Sequence, residues 1–197
     1  MKRFIFATHN SNKAQEVAGM LDGKIEVQCL KDLNIEIDIP EPHDSLEKNA
    51  REKSTTIHSI TGNACFGEDT GLEVEILSGA PGVKTARFAG EQATTSQNID
   101  LLLEKLQDQS NRKARFRTII SLITEKGDEH IFEGICEGKI ATQKSGTQGF
   151  GYDPVFIPDG SDVPFAEMSM EEKNKFSHRK KAMAKLLDFI QTKYGEN

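Results

Sequence analysis

Two strand-like runs, Phe116 to Thr124 and His130 to Ile140, are joined through Lys126-Gly127-Asp128, and this short turn constrains the fold more than any other feature of the chain. Strands so closely connected pair as an antiparallel hairpin. The chain opens differently. Phe4-Ile5-Phe6-Ala7 reads as a short buried strand, the polar loop Thr8 to Asn12 follows, and Ala14, Val17, Ala18 and Leu21 share one face of a helix. Strands and helices therefore mix without the regular alternation of a doubly wound fold, and the expected class is α/β with a mixed, twisted sheet.

A second helix is expected from Asp44, which has capping-box spacing to Glu47, to near Gly62. Its apolar stripe is Leu46, Ala50 and Ile57. Lys53 falls on that stripe and Asn49 borders it, so the helix either faces a polar cavity or lets a lysine stem cross the core edge. Ala64-Cys65-Phe66, Gly67 to Gly71 and Leu72 to Ile76 read as strand, acidic turn, strand. Gly79 to Gly82 is a loop, and Ser96 is the expected cap of a helix carrying Ile99, Leu102, Leu103 and Leu106. A glycine-rich loop at 149 to 154 precedes helical sequence from about Ser169 to Lys193, with a capping box from Ser169 to Glu172 and a second cap at Ser177.

At 197 residues the chain is long enough for one well-buried domain, expected to span 1–197. A formal net charge of -6 argues against the basic footprint of a nucleic-acid binder, while a nucleotide needs only a few local cations. Three scattered cysteines without CxxC spacing point away from a disulfide framework or a zinc site. The apolar run after Met1 stops at Thr8-His9-Asn10, too short for a signal peptide or a membrane span, so a cytoplasmic location without membrane contact is expected.

Four stretches carry chemistry. Thr8, His9, Asn10, Ser11, Asn12 and Lys13, between a strand and a helix, supply hydroxyls, amides, helix N-terminal N–H groups and an ammonium, all phosphate-binding groups, without the glycines of a Walker A loop. Glu68-Asp69 places carboxylates between apolar runs, and Glu41 stands in the stiff segment Pro40-Glu41-Pro42. Mg²⁺ suits them, because this hard ion takes one or two carboxylates plus substrate phosphates. The alternative at Asp69 is an Asx-type turn. Gly149-Phe150-Gly151-Tyr152-Asp153-Pro154 offers rings and a carboxylate to a base, or is a glycine-rich turn with a core-anchoring aromatic. Lys173 and Ser177-His178-Arg179 supply donors for an oxygen-rich ligand, or form a solvated face.

In order and spacing these motifs resemble the inosine-triphosphatase family, pyrophosphatases of deaminated purine nucleoside triphosphates. The matching blocks are Thr8 to Lys13; Pro40-Glu41 with Asn49-Ala50 and Lys53; Glu68 to Val74 with Gly79 to Val83 and Ala86 to Gly90; Gly149 to Phe156; and Glu172-Lys173 with Ser177-His178-Arg179. The resemblance implies a long mixed sheet, two lobes around a cleft, and a homodimer. It implies hydrolysis of ITP, dITP or XTP to the monophosphate and pyrophosphate with Mg²⁺. By this resemblance, Thr8 to Lys13, Lys53 and Lys173 are expected to take the phosphates, Glu41 and Asp69 the metal, and Asp69 the proton of the attacking water. By the same resemblance, Thr70, Phe150, Gly151, Tyr152, Asp153, His178 and Arg179 are expected to line the nucleotide.

The pattern departs from that family at Glu68, Gln148 and Asp44 to Lys48, none of them a proposed catalytic position. Two rival readings are a Maf-like pyrophosphatase, against which the Gly-Phe-Gly-Tyr-Asp and Ser-His-Arg motifs argue, and a nucleotide-binding regulator without catalysis, against which Glu41, Asp69 and the lysines argue.

Overall fold

The computed structural model describes residues 2–21, 23 and 25–194; Met1, Asp22, Lys24 and residues 195–197, all inside the expected single domain, lie outside the described residues. The elements run β1 (Arg3–Phe6), α1 (Ser11–Leu21), β2 (Glu26–Cys29), α2 (Leu46–Thr61), β3 (Cys65–Val74), β4 (Pro81–Gly82), α3 (Thr95–Lys105), β5 (Lys113–Ile123), β6 (Glu129–Ile140), β7 (Phe156–Pro158), α4 (Met170–Phe176) and α5 (His178–Tyr194). The strand order is β2-β1-β3-β5-β6-β7, with β4 attached to β3. β1 pairs in parallel with both β2 and β3, whereas β4 and β7 pair antiparallel with β3 and β6. The sheet is mixed, as the hairpin and the opening strand-loop-helix require.

The chain divides into two compact units. The first comprises 1–69, 118–134 and 179–197, the second 70–117 and 135–178. In the first, alternate residues of β1 serve two cores. Phe4 and Phe6 pack with Val17 of α1 and with Met183, Leu186 and Ile190 of α5, while Ile5 and Ala7 join Ile57 of α2 and Leu30. Being covered on both faces explains why β1 reads as a continuous apolar run and not an alternating one. Phe6 stacks on Phe66 of β3 with ring centroids 4.6 Å apart. In the second unit Leu72, Val74, Phe116 and Phe156 meet Ile99, Leu102 and Leu106, with Phe165 and Met168 closing the cluster.

Several expected boundaries move. Ser45, not Asp44, caps α2 by accepting a hydrogen bond from Lys48 N, and Gly62 ends the helix in the left-handed region as expected. Thr94, not Ser96, caps α3, in a capping box with Gln97. On α1, Ala18 is exposed and Glu16 is buried. The largest correction lies at Gly67 to Gly71, where no turn exists: β3 passes uninterrupted through Glu68 and Asp69. The polar sequence reads as a break, yet each carboxylate has a buried cation beside it, so the strand continues. The capping box at Ser169 and the separate last helix after Ser177 stand as expected.

Candidate active site

The first unit carries two polar clusters. After β1 the loop is pre-shaped by its own side chains. Thr8 Oγ1 accepts from Asn10 N at 3.1 Å, and Asn10 Oδ1 accepts from Asn12 N and Lys13 N at 3.0 and 3.1 Å, capping α1. His9 turns outward to the 34–44 segment, its ring nitrogen lying 2.9 Å from Ile37 O. Ser11 and Asn12 stay exposed in the first helical turn. Such a helix start attracts anions.

The first cluster joins Lys53, Asp69, Glu41 and Asn49. Lys53 does not snorkel to water. Its Nζ lies 3.0 Å from Glu68 O and 3.3 Å from Asp69 Oδ1, and it ion-pairs with Glu41. This close approach of helix to strand depends on Gly67, where a Cβ would stand 2.3 Å from Ala50 O and 2.7 Å from Lys53 Cβ. Burial holds the Asp69 carboxyl above the ordinary carboxylate range, against the opposing pull of Lys53. Burial would depress the Lys53 ammonium, but Asp69 and Glu41 outweigh it and its pKa is raised.

The second cluster is centred on Arg179, at the start of α5. Its guanidinium makes a two-pronged bond to Glu68, Nε to Oε2 and Nη2 to Oε1, both 2.8 Å, and Nη1 pairs with Glu16. Lys13 adds a second cation, 3.2 Å from Glu68 Oε1. The planar fork matches the carboxylate, a geometry that lysine cannot supply. Burial lowers the Lys13 pKa, opposed by Glu68 and reinforced by Lys53 and Arg179. Glu68, expected beside a metal, instead spends its carboxylate on these cations. Glu16 was missed by sequence reading, which assigned the buried face of α1 to small and apolar residues. Its one signal is the spacing of one helical turn from Lys13.

The second unit holds the remaining candidates. Asp153 Oδ2 accepts from Phe150 N at 2.9 Å and from Lys173 Nζ at 2.6 Å, closing the glycine-rich loop on itself. Gly149 makes that closure possible: its φ is +74°, and a Cβ there would stand 2.0 Å from Asp153 Oδ2. Lys173 is buried, with its ammonium 5.2 Å from the centroid of the Phe150 ring and 5.3 Å from that of Phe165. Phe150 and Gly151 remain partly accessible, whereas Tyr152 is a core anchor whose hydroxyl donates to Thr85 O at 3.0 Å. His178 is buried and stacks on Phe116, centroids 4.6 Å apart. Thr70 is half-buried in β3, directly after Asp69.

The donor set decides what metal chemistry these residues suit. Among the described residues no group of three or more His, Cys, Asp or Glu side chains could hold an ion. Glu41 and Asp69 nevertheless converge on one cation, the Lys53 ammonium. Two carboxylates without a cage fit a hard divalent ion that completes its shell with water and phosphate oxygens, as Mg²⁺ does.

The comparisons with known proteins identify the family. The sequence profile of the Ham1 family matches residues 4–189. The chain belongs to the Ham1 family. It is 49% identical over 191 residues to a dITP/XTP pyrophosphatase of Porphyromonas gingivalis, covering 96% of this chain and 98% of that one. It is 45% identical over 188 residues to a dITP/XTP pyrophosphatase of Christiangramia forsetii, covering 95% and 98%. The solved Ham1 protein of Staphylococcus aureus superposes with a TM-score of 0.88 at 33% identity, covering 100% of both chains. The expected family and the α/β class with a mixed sheet are thus established.

Proposed function

We propose that this protein hydrolyses deaminated purine nucleoside triphosphates, ITP, dITP and XTP, to the monophosphate and pyrophosphate. The observation that carries the reading is the convergence of Glu41 and Asp69 on the buried Lys53, in a chain whose nearly full-length relatives bear the name dITP/XTP pyrophosphatase. A triphosphate resists attack because of its charge, so the protein's task is to spread that charge and to orient a water. The capped start of α1, with Lys13 and Lys53, offers donors to the phosphate oxygens. Glu41 and Asp69 would hold Mg²⁺, which when bound neutralises developing charge and makes water more acidic. Asp69, held by Asn49 and Lys53, accepts the proton of the attacking water.

Phe150, Gly151 and Asp153 are assigned to the nucleotide with Thr70, His178 and Arg179, the Asp153–Lys173 pair keeping the loop in shape. A 6-oxo purine offers an acceptor where adenine offers an amino donor, so a donor aimed at that position leaves ATP mismatched. The homodimer and the cytoplasmic location implied by the resemblance belong to the same proposal. The second is supported by three free cysteines and by the absence, among the described residues, of a helix long and apolar enough to cross a membrane.

The test is product analysis with ITP, XTP, ATP and GTP, in Mg²⁺ and in chelator. Equal amounts of IMP and pyrophosphate from ITP, little product from ATP and none in chelator are expected. Release of orthophosphate, or indifference to the base, overturns the reading.

A further inference from the structure

Asn49 is fully buried on α2, one turn before Lys53, and each of its polar atoms has a partner. Its Oδ1 accepts from His43 N at 3.0 Å, and its Nδ2 donates to His43 O at 3.3 Å and to Asp69 Oδ2 at 3.3 Å. The side-chain amide thus pairs with the His43 backbone as a neighbouring strand would, while its remaining donor touches the carboxylate. Lys53 repeats the pattern one turn later, contacting Asp69 Oδ1 and Glu41. Each oxygen of Asp69 is therefore held by a different residue of one helix. The same two residues also grip the Glu41-Pro42-His43 segment.

We infer that Asn49 is a positioning residue that fixes the separation and facing of the Glu41 and Asp69 carboxylates, and so sets the affinity of this pair for a divalent cation. The inference rests on the reading above for the identity of the reaction, but not for the coupling of Asn49 to the cation. The segment that carries Glu41 runs from residue 34 to 45 without helix or strand, so it depends on side-chain ties for its place. Without Asn49, Glu41 retains Lys53, but the His43 backbone two residues on loses two hydrogen bonds and Asp69 Oδ2 loses a donor. Partners of this kind behind metal-binding carboxylates typically change metal affinity or activity by about 10–100-fold when removed.

The experiment uses Asn49→Leu, which fills the same buried volume, and Asn49→Ala, each compared with the native protein. Mn²⁺ binding without nucleotide is followed by loss of the free-ion paramagnetic signal, and the kcat and KM for ITP are measured at saturating Mg²⁺. The expected result is Mn²⁺ affinity weakened about 10-fold or more, with kcat lowered and the ITP KM moved far less. Native Mn²⁺ affinity in either folded variant overturns the inference. So does an unchanged Mn²⁺ affinity with only KM raised. If the native protein releases no pyrophosphate from ITP, the functional reading fails while the Mn²⁺ data still decide the role of Asn49. Should neither variant fold, hydrogen exchange of the His43 amide in the native chain substitutes: slow exchange, slowed further by Mg²⁺, supports the inference, and exchange at loop rate with and without Mg²⁺ overturns it.

Discussion

At the residue scale, chemistry here is set by charges that burial makes expensive. In its proposed role Asp69 must be ionised to accept a proton, and burial raises its pKa, so activity should be lost as pH falls through a value above the usual carboxylate range. A pH series of kcat/KM at fixed Mg²⁺ should show that acid limb, and more Mg²⁺ should move it to lower pH, since a bound cation favours the carboxylate. Asp69→Asn should keep nucleotide binding, lower kcat by a factor on the order of 100 or more, and abolish the limb; a limb that persists belongs to another group. Lys13 gives the opposite lesson. Folding lowers its pKa, so its charge opposes folding at neutral pH, and that opposition fades as pH rises through the lowered value. Lys13→Met should therefore keep or raise Tm while raising the KM for ITP, because Glu68 retains both bonds from Arg179. Arg179→Met should instead cost about 3–5 kcal/mol, since Glu68 and Glu16 are left buried without it. Equal losses of stability in both variants would show that Lys13 is as necessary to Glu68 as Arg179 is.

At the element scale, the decisive contact is α2 against β3. Gly67 has no side chain where a Cβ would meet the Ala50 carbonyl and the Lys53 stem, so Gly67→Ala must push the helix outward. We expect a loss of about 1–3 kcal/mol in denaturant unfolding, with an unchanged m-value and a fall in kcat as Lys53 leaves Asp69. Unchanged stability and activity would mean that the helix can shift freely. This contact also marks how far the sequence could be read. Periodicity revealed α2, its apolar stripe and the anomalous Lys53, because these depend on local spacing. It failed at Glu68-Asp69, where a polar pair beside a glycine signals a turn locally, while cations from residues 53 and 179 keep the strand intact. Caps slipped by one or two residues at Ser45 and Thr94 because neighbouring polar residues compete for the same role and only backbone geometry selects one. The loop at 149 to 154 was legible as glycine-rich, but not the closure of Asp153 onto Lys173 across 20 residues.

At the scale of the whole molecule, the two compact units exchange chain at 69/70, 117/118, 134/135 and 178/179. The first three junctions fall inside β3, β5 and β6, and the last separates His178 from Arg179 at the start of α5. A linker between independent domains is usually exposed, polar and poor in contacts, whereas here three uninterrupted strands carry the chain across. The continuity of β3, β5 and β6 across the junctions is the observation on which a proposal about their unfolding can rest. We therefore propose that the units unfold together, as one cooperative domain, despite their separate apolar clusters. Phe66→Ala in the first cluster and Phe116→Ala in the second should each cost about 3–5 kcal/mol. Both should move one calorimetric transition whose van 't Hoff and calorimetric enthalpies agree. Two transitions, each moved by only one of the substitutions, would mean that the strands are hinges and that the chain holds two independently stable domains.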